Sequence, residues 1–118
     1  MVQTVPVSVV ETPEFLSATR KLMSDEERRL LVDYLAYNPL AGDLVQGTGG
    51  IRKVRWGMEG RGKRGGARVI YFYHDDDMPL FVLTAYAKNE RADLSQQDKN
   101  DFRQLTTMLV DAFKRRKP

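Results

Sequence analysis

The chain has 118 residues, 42% of them hydrophobic, and no cysteine. This predicts one domain, 1–118, with one modest core, and excludes a disulfide framework, a thiolate metal site and a cysteine nucleophile. The net charge of +3 is unevenly spread: Gly47 to His74 holds seven basic residues against the one acid Glu59, a local +6, and the other 12 basic and 15 acidic residues leave −3. A positive block on a mildly acidic domain is the footprint of a polyanion binder, and that reading is favoured here over a solvated basic loop. The start Met1-Val-Gln-Thr-Val-Pro has neither a basic nor an apolar leader segment, and no apolar run reaches the roughly 18 residues of a membrane span. A soluble cytoplasmic protein with no membrane partner is expected.

Val5 to Val10 is β-branched and reads as a first strand. Thr12-Pro13-Glu14 reads as a helix start, with a capping threonine, proline at the first helical position and an acid at the positive end of the dipole. That helix should end near Met23. Ser24-Asp25-Glu26-Glu27 is a capping box. The helix after it carries Leu31, Tyr34 and Leu35 on one face and should stop before Asn38-Pro39. Asn38 to Gly50 reads as loop. Ile51 to Trp56 alternates, with Ile51, Lys53 and Arg55 on one parity and Arg52, Val54 and Trp56 on the other.

Gly57 to Gly66 is a basic, glycine-rich turn region. Ala67 to Tyr73 and Leu80 to Tyr86 are the clearest strands, joined by the polar turn His74 to Pro79. After a charged loop from Ala87 to Leu94, Ser95-Gln96-Gln97-Asp98 opens a last helix. There Phe102, Leu105, Leu109 and Phe113 recur at helical spacing, and Lys114 to Lys117 suit its negative end. The expected class is α+β in the order β-α-α-β-β-β-α, with a small antiparallel sheet, an N-terminal helical hairpin and a C-terminal helix.

No phosphate-binding Walker pattern, dinucleotide fingerprint or zinc spacing is present. Gly60-Arg61-Gly62-Lys63-Arg64-Gly65-Gly66 lacks the Lys-Ser/Thr ending of a Walker loop, and a strand follows it. What remains is the chemistry of cations. Lys53 and Arg55 share a strand face, and Arg68 opens the next strand, where it can lie across from them. Such a cleft suits cleavage of RNA by its own 2′-hydroxyl, which needs alignment, charge stabilisation on the phosphate and a proton for the departing 5′-oxygen. No metal is required. Composition alone favours RNA binding without catalysis. Tyr73 can stack on bases, whereas Tyr71 and Trp56 read as core. His74 and Asp75-Asp76-Asp77 read as an exposed turn rather than a base or a metal site.

Three linked stretches resemble the RelE/ParE toxin superfamily, in particular its HigB-like branch. They are Gly47-Thr48-Gly49-Gly50-Ile51-Arg52-Lys53-Val54-Arg55, Gly60 to Tyr71, and Leu83-Thr84-Ala85-Tyr86-Ala87-Lys88-Asn89-Glu90-Arg91-Ala92-Asp93-Leu94. The resemblance implies the toxin of a type II toxin–antitoxin pair, cleaving mRNA in the ribosomal A site without a cofactor. It also implies a cognate antitoxin, with operator DNA met only through that partner. Lys53 and Arg55 match the family's basic pair, and Arg68 matches the arginine at the scissile phosphate. Lys88 stands in the basic motif after the last strand; Asn89 stands where a further arginine is usual, so that role passes to Lys88 or is absent. Leu94 and Ser95 replace a tyrosine found in some members, which leaves the general base unassigned. Arg52, Arg61, Lys63, Arg64 and Tyr73 are the expected RNA-binding residues. Two other readings are a ParE-like inhibitor of DNA gyrase, which needs no such basic pair, and a non-catalytic RNA- or antitoxin-binding module.

Overall fold

Each of the three helices among the described residues begins at a hydroxyl side chain that caps it. In the computed structural model, which describes residues 5–57, 66–88, 90 and 93–115, helix α1 (Pro13–Thr19) opens at Thr12, whose hydroxyl accepts from Phe15 N–H. Helix α2 (Asp25–Tyr37) has the full capping box: Ser24 Oγ accepts from Glu27 N–H, and Glu27 reaches back to Ser24 N–H. Helix α3 (Gln96–Lys114) repeats the device with Ser95 and Asp98. Each cap satisfies backbone donors that a helix start leaves orphaned, a contribution of about 1 kcal/mol apiece. Helix α1 ends at Thr19 rather than near Met23, because a tight turn follows in which Leu22 and Met23 N–H both bond to Thr19 O.

The strands are β1 (Val9–Glu11), β2 (Asp43–Leu44), β3 (Ile51–Trp56), β4 (Ala67–Phe72) and β5 (Leu80–Ala87). They form one sheet in the order β1-β5-β4-β3-β2. Two features depart from the sequence expectation. The stretch read as loop contains β2, which pairs with β3 through Asp43↔Lys53 and Leu44↔Arg52. The sheet is also mixed: β3, β4 and β5 are antiparallel neighbours, but β1 lies parallel to β5. The chain leaves β1, crosses one sheet face through α1 and α2, and so returns in a direction that leaves β1 running with β5. Strand β1 is also shorter than the valine run, because Val7 N–H bonds to Ala36 O of α2 instead of to the sheet.

Strand alternation divides the core in two. Toward the α1–α2 hairpin, Phe15, Leu31 and Leu35 pack on Val69, Tyr71, Leu80 and Val82, with Val54 and Trp56 at the margin. Toward α3, Phe102, Leu105, Leu109 and Phe113 pack on Ile51, Ile70, Phe72, Leu83 and Tyr86. Full burial of each such side chain stabilises by about 1.5–3 kcal/mol. A β-bulge between Ile70 and Tyr71 sets β5 out of simple alternation, since Ile70 faces Thr84 and Tyr71 faces Val82. Leu80 and Val82 therefore share the hairpin side with Ala85 and Ala87, and Tyr86 turns to the α3 side.

Tyr71 is core, as its strand position predicts. It is wholly buried; its hydroxyl donates to Pro39 O at 2.8 Å and accepts from Gly42 N–H at 2.8 Å. Burial holds its phenol above the ordinary 10.0, against the opposing bond from Gly42 and the nearby Arg52 charge. A raised folded pKa means stabilisation that is complete below pH 10.0 and is lost as pH climbs from there through the folded value. Tyr71→Phe leaves a buried N–H and a buried C=O without partners and is expected to cost about 2–4 kcal/mol. Urea unfolding at neutral pH and above about pH 10 checks both parts: the variant should have a lower midpoint and a weaker alkaline decline.

Candidate nucleic-acid interface

The β3–β4 register decides which cations meet. Ile51 packs in the α3-side core, so Lys53 and Arg55 follow it onto that face. On β4, Ile70 and Phe72 lie on the same side, which places Arg68 there too. Arg55 and Arg68 are directly opposed, and Lys53 faces Ile70 two residue pairs inward along β3. Directly opposed residues have Cβ atoms about 4.5–5.5 Å apart, and like charges so placed are destabilising. Among the described residues neither arginine has an ion-pair partner. Arg68 is half-buried, and its Nε is shut off from solvent with no hydrogen-bond partner among those residues. A stable sheet has no need of this arrangement. An anion laid across it would relieve the repulsion.

Lys88 sits at the open end of the same ladder. It is exposed in the turn after β5, and its N–H bonds to Gly66 O at 3.2 Å. That bond carries the pairing one step past Ala67↔Ala87, so Lys88 lies two residues along from Tyr86, the residue facing Arg68. Helix α3 covers the other end of this face, where Thr106 donates to Thr48 O at 3.0 Å. The cations thus occupy the part of the sheet that α3 leaves open.

Lys53 is bracketed by carboxylates. Its Nζ lies 3.4 Å from Asp93 Oδ1 in the segment leading to α3, and Asp43 faces it from β2. The Asp93 carboxyl is held below its ordinary 3.8, first by the bond from Leu94 N–H and then by Lys53. A lowered folded pKa means the contact is intact above pH 3.8 and is lost as acidification protonates the carboxylate. Leu94 is buried in the α3-side core.

Two residues expected at the interface are not on this face. Arg52 has the opposite parity; its Nη1 donates to Gly42 O at 2.7 Å and to Leu40 O at 3.5 Å, which staples the segment before β2. Tyr73 packs against the hairpin-side core and bonds to Asp76. Their parities, shared with Val54 and Trp56 for Arg52 and with Val69 and Tyr71 for Tyr73, carry that signal in the sequence. Arg61, Lys63 and Arg64 fall outside the described residues, as does Asn89. Asp43, Asp93 and Tyr86 went unnoticed in the sequence. A one-residue bulge is invisible to a parity count, and plain alternation from Leu80 places Tyr86 on the wrong side.

Two concavities among the described residues lie away from these cations. One is between His74, Met78 and the end of α3, another between α1 and the start of α2. The cations lie along a sheet face on which Arg55 is exposed and Lys53 and Arg68 are half-buried, and cations spread in this way suit a long polyanion better than a small molecule. No helix among the described residues is long and apolar enough to cross a membrane.

A mixed sheet with a helical hairpin on one face and a partly uncovered cationic patch on the other is the fold of a RelE-type toxin. The chain matches the solved structure of the E. coli toxin RelE in the free state, a mutant with two arginines changed to alanine, with a TM-score of 0.53 and 19% identity, over 72% of this chain and 86% of that one. That likeness is one of fold. The family follows from the sequence: residues 11–116 match the model of the RelE toxin of the RelE / RelB toxin-antitoxin system, and the chain belongs to the RelE toxin family. It is the toxin of a toxin–antitoxin system, and its family implies an antitoxin as partner.

Proposed function

We propose that this toxin is a cytoplasmic, ribosome-dependent endoribonuclease that cuts mRNA during translation and so halts protein synthesis. The observation that carries the reading is the direct opposition of Arg55 and Arg68 on the α3-side sheet face, with Lys53 beside them and Lys88 at the ladder's end. The attacking group is the 2′-hydroxyl of the RNA. Its oxygen gives up its proton to solvent water and bonds to the adjacent phosphorus while the bond from phosphorus to the 5′-oxygen breaks, leaving a 2′,3′-cyclic phosphate and, once the departing oxygen is protonated, a 5′-hydroxyl. Arg55 and Lys53 bind and polarise the phosphate. Arg68 stabilises the charge that grows on its oxygens at the pentacovalent stage; a planar fork matches two such oxygens at once. Lys88 supplies the proton to the departing 5′-oxygen. The cationic residues Arg61, Lys63 and Arg64 dock ribosomal RNA, and their substitution should weaken ribosome binding in a salt-dependent way.

Purified toxin added to ribosomes translating a defined message should produce fragments ending in cyclic phosphate. Intact message on translating ribosomes would overturn the proposal. An arrest of replication that precedes any arrest of translation would point instead to gyrase.

A further inference from the structure

We propose that Asp93 is a positioning residue for Lys53, its carboxylate holding the ammonium at the edge of the phosphate site while its fixed negative charge limits how tightly RNA is held there. This rests on the reading of Lys53 as a phosphate-binding cation. Lys53 Nζ lies 3.4 Å from Asp93 Oδ1, and the same oxygen accepts from Leu94 N–H at 2.8 Å. Asp93 is thereby fixed to a rigid frame: Leu94 is buried in the α3-side core, and Ser95 caps α3. Asp43 faces the same lysine across the β2–β3 register, yet the ammonium is paired with Asp93. Among the described residues neither Arg55 nor Arg68 has such a partner.

Side-chain chemistry explains why the lysine is the cation that is held. An ammonium is a point charge on a flexible four-carbon stem, whereas a guanidinium is a stiff planar fork. Arg55 stands two residues along the same strand face, about 7 Å away, and Arg68 faces Arg55. Repulsion from these two favours rotamers that carry Lys53 Nζ away from them. A carboxylate anchored at the start of α3 opposes that drift. An ammonium has three donors, and one given to Asp93 leaves two for phosphate oxygens. The ion pair is open, with 26% of the lysine side chain and 54% of the aspartate exposed, so it contributes little to stability. Its consequence is for where the ammonium stands and for the field that an incoming phosphate meets. The two act in opposite directions: a held ammonium favours the transition state, and the carboxylate's charge disfavours binding of any polyanion.

The test uses Asp93→Asn, which keeps an oxygen for Leu94 N–H and removes the charge, together with Lys53→Ala and the double variant. On translating ribosomes Asp93→Asn should lower kcat roughly ten-fold, the scale of one hydrogen bond to a charged group. It should also lower KM, roughly three-fold, as for one unit charge removed about 6 Å from a phosphate in water. In the Lys53→Ala background it should have no further effect on kcat and should still lower KM, because no ammonium is left to hold while the charge is still lost. The urea midpoint should stay at its wild-type value. In the full chain the Lys53 Nζ resonance, followed by NMR, should shift in Asp93→Asn, and inorganic phosphate should bind that variant more tightly than wild type. An unchanged kcat, losses that multiply in the double variant, or a raised KM with a lowered urea midpoint (the mark of a structural role) would overturn the assignment. If wild type does not cut RNA at all, the endonuclease reading falls. The resonance and the phosphate titration then still decide the role of Asp93, and an unmoved resonance with unchanged phosphate affinity overturns it.

Discussion

Arg68→Ala should lower mRNA cleavage on translating ribosomes by about a hundred-fold or more, the loss typical of removing one preorganised donor from a transition-state site. The same change should leave the protein about as stable as before, or up to about 1 kcal/mol more so. The register gives the reason. Arg68 faces Arg55 directly, and like charges opposed across a ladder cost about 0.2–1 kcal/mol. Its Nε is also buried without a partner among the described residues, so truncation removes an unsatisfied donor along with some apolar stem. Arg68→Lys keeps the charge and loses the fork, and should fall between the two in activity. Ribosome cleavage assays paired with urea unfolding read both axes. A residue that served only the fold would show the reverse pattern, with a clear drop in stability and little specific loss of rate.

Gly49→Ala should cost about 3 kcal/mol, one of the largest losses available from adding a single methyl to this protein. Gly49 has φ +77°, where an L side chain is strained, and a Cβ there would stand 2.4 Å from Thr106 Oγ1. Thr106 cannot easily yield. It is buried, β-branched, and its hydroxyl donates to Thr48 O. Thr48 in turn bonds through its own hydroxyl to Val45 O at 2.6 Å and accepts from Ile51 N–H at 3.1 Å. The added methyl therefore separates α3 from the turn that launches β3, and β3 carries Lys53 and Arg55. Gly47 is the control. Its φ is +80° with nothing within 4 Å of a Cβ, so Gly47→Ala should cost only the backbone strain, about 1–2 kcal/mol. Equal losses at the two positions, measured by denaturant midpoint, would show that the contact with Thr106 does not matter.

What could be read from the sequence was local. Ser24 with Glu27 and Ser95 with Asp98 announce two helix starts because a capping box is complete within four residues. The parity of Ile51 to Trp56 separates Lys53 and Arg55 from Arg52, a distinction fully available in the chain and overridden in the case of Arg52 by its charge. The rest depended on partners distant in sequence. Strand β2 has two exposed residues and no alternation to betray it; it is a strand because β3 lies beside it. The parallel pairing of β1 with β5 is a property of the path between them. Tyr86 and Asp93 enter the candidate site through a bulge and a tertiary contact, neither of which leaves a pattern in residue types.

The placement of β1 has a consequence for how the molecule comes into being. Thr12, at the exit of β1, bonds through its hydroxyl to the carbonyls of Val82 and Leu83, 70 and 71 residues further along the chain. A ribosome makes the helical hairpin early, yet the β5 half of its seat is among the later parts to emerge. Strands β3, β4 and β5 can zip by neighbouring turns, whereas docking the hairpin closes a long loop and must wait for them. An incomplete nascent chain thus has neither a completed core nor Lys88 at the end of the ladder. The cationic face is therefore assembled only after β5 and Lys88 have emerged, so vectorial synthesis separates the making of Lys53 and Arg55 from the completion of the surface they share.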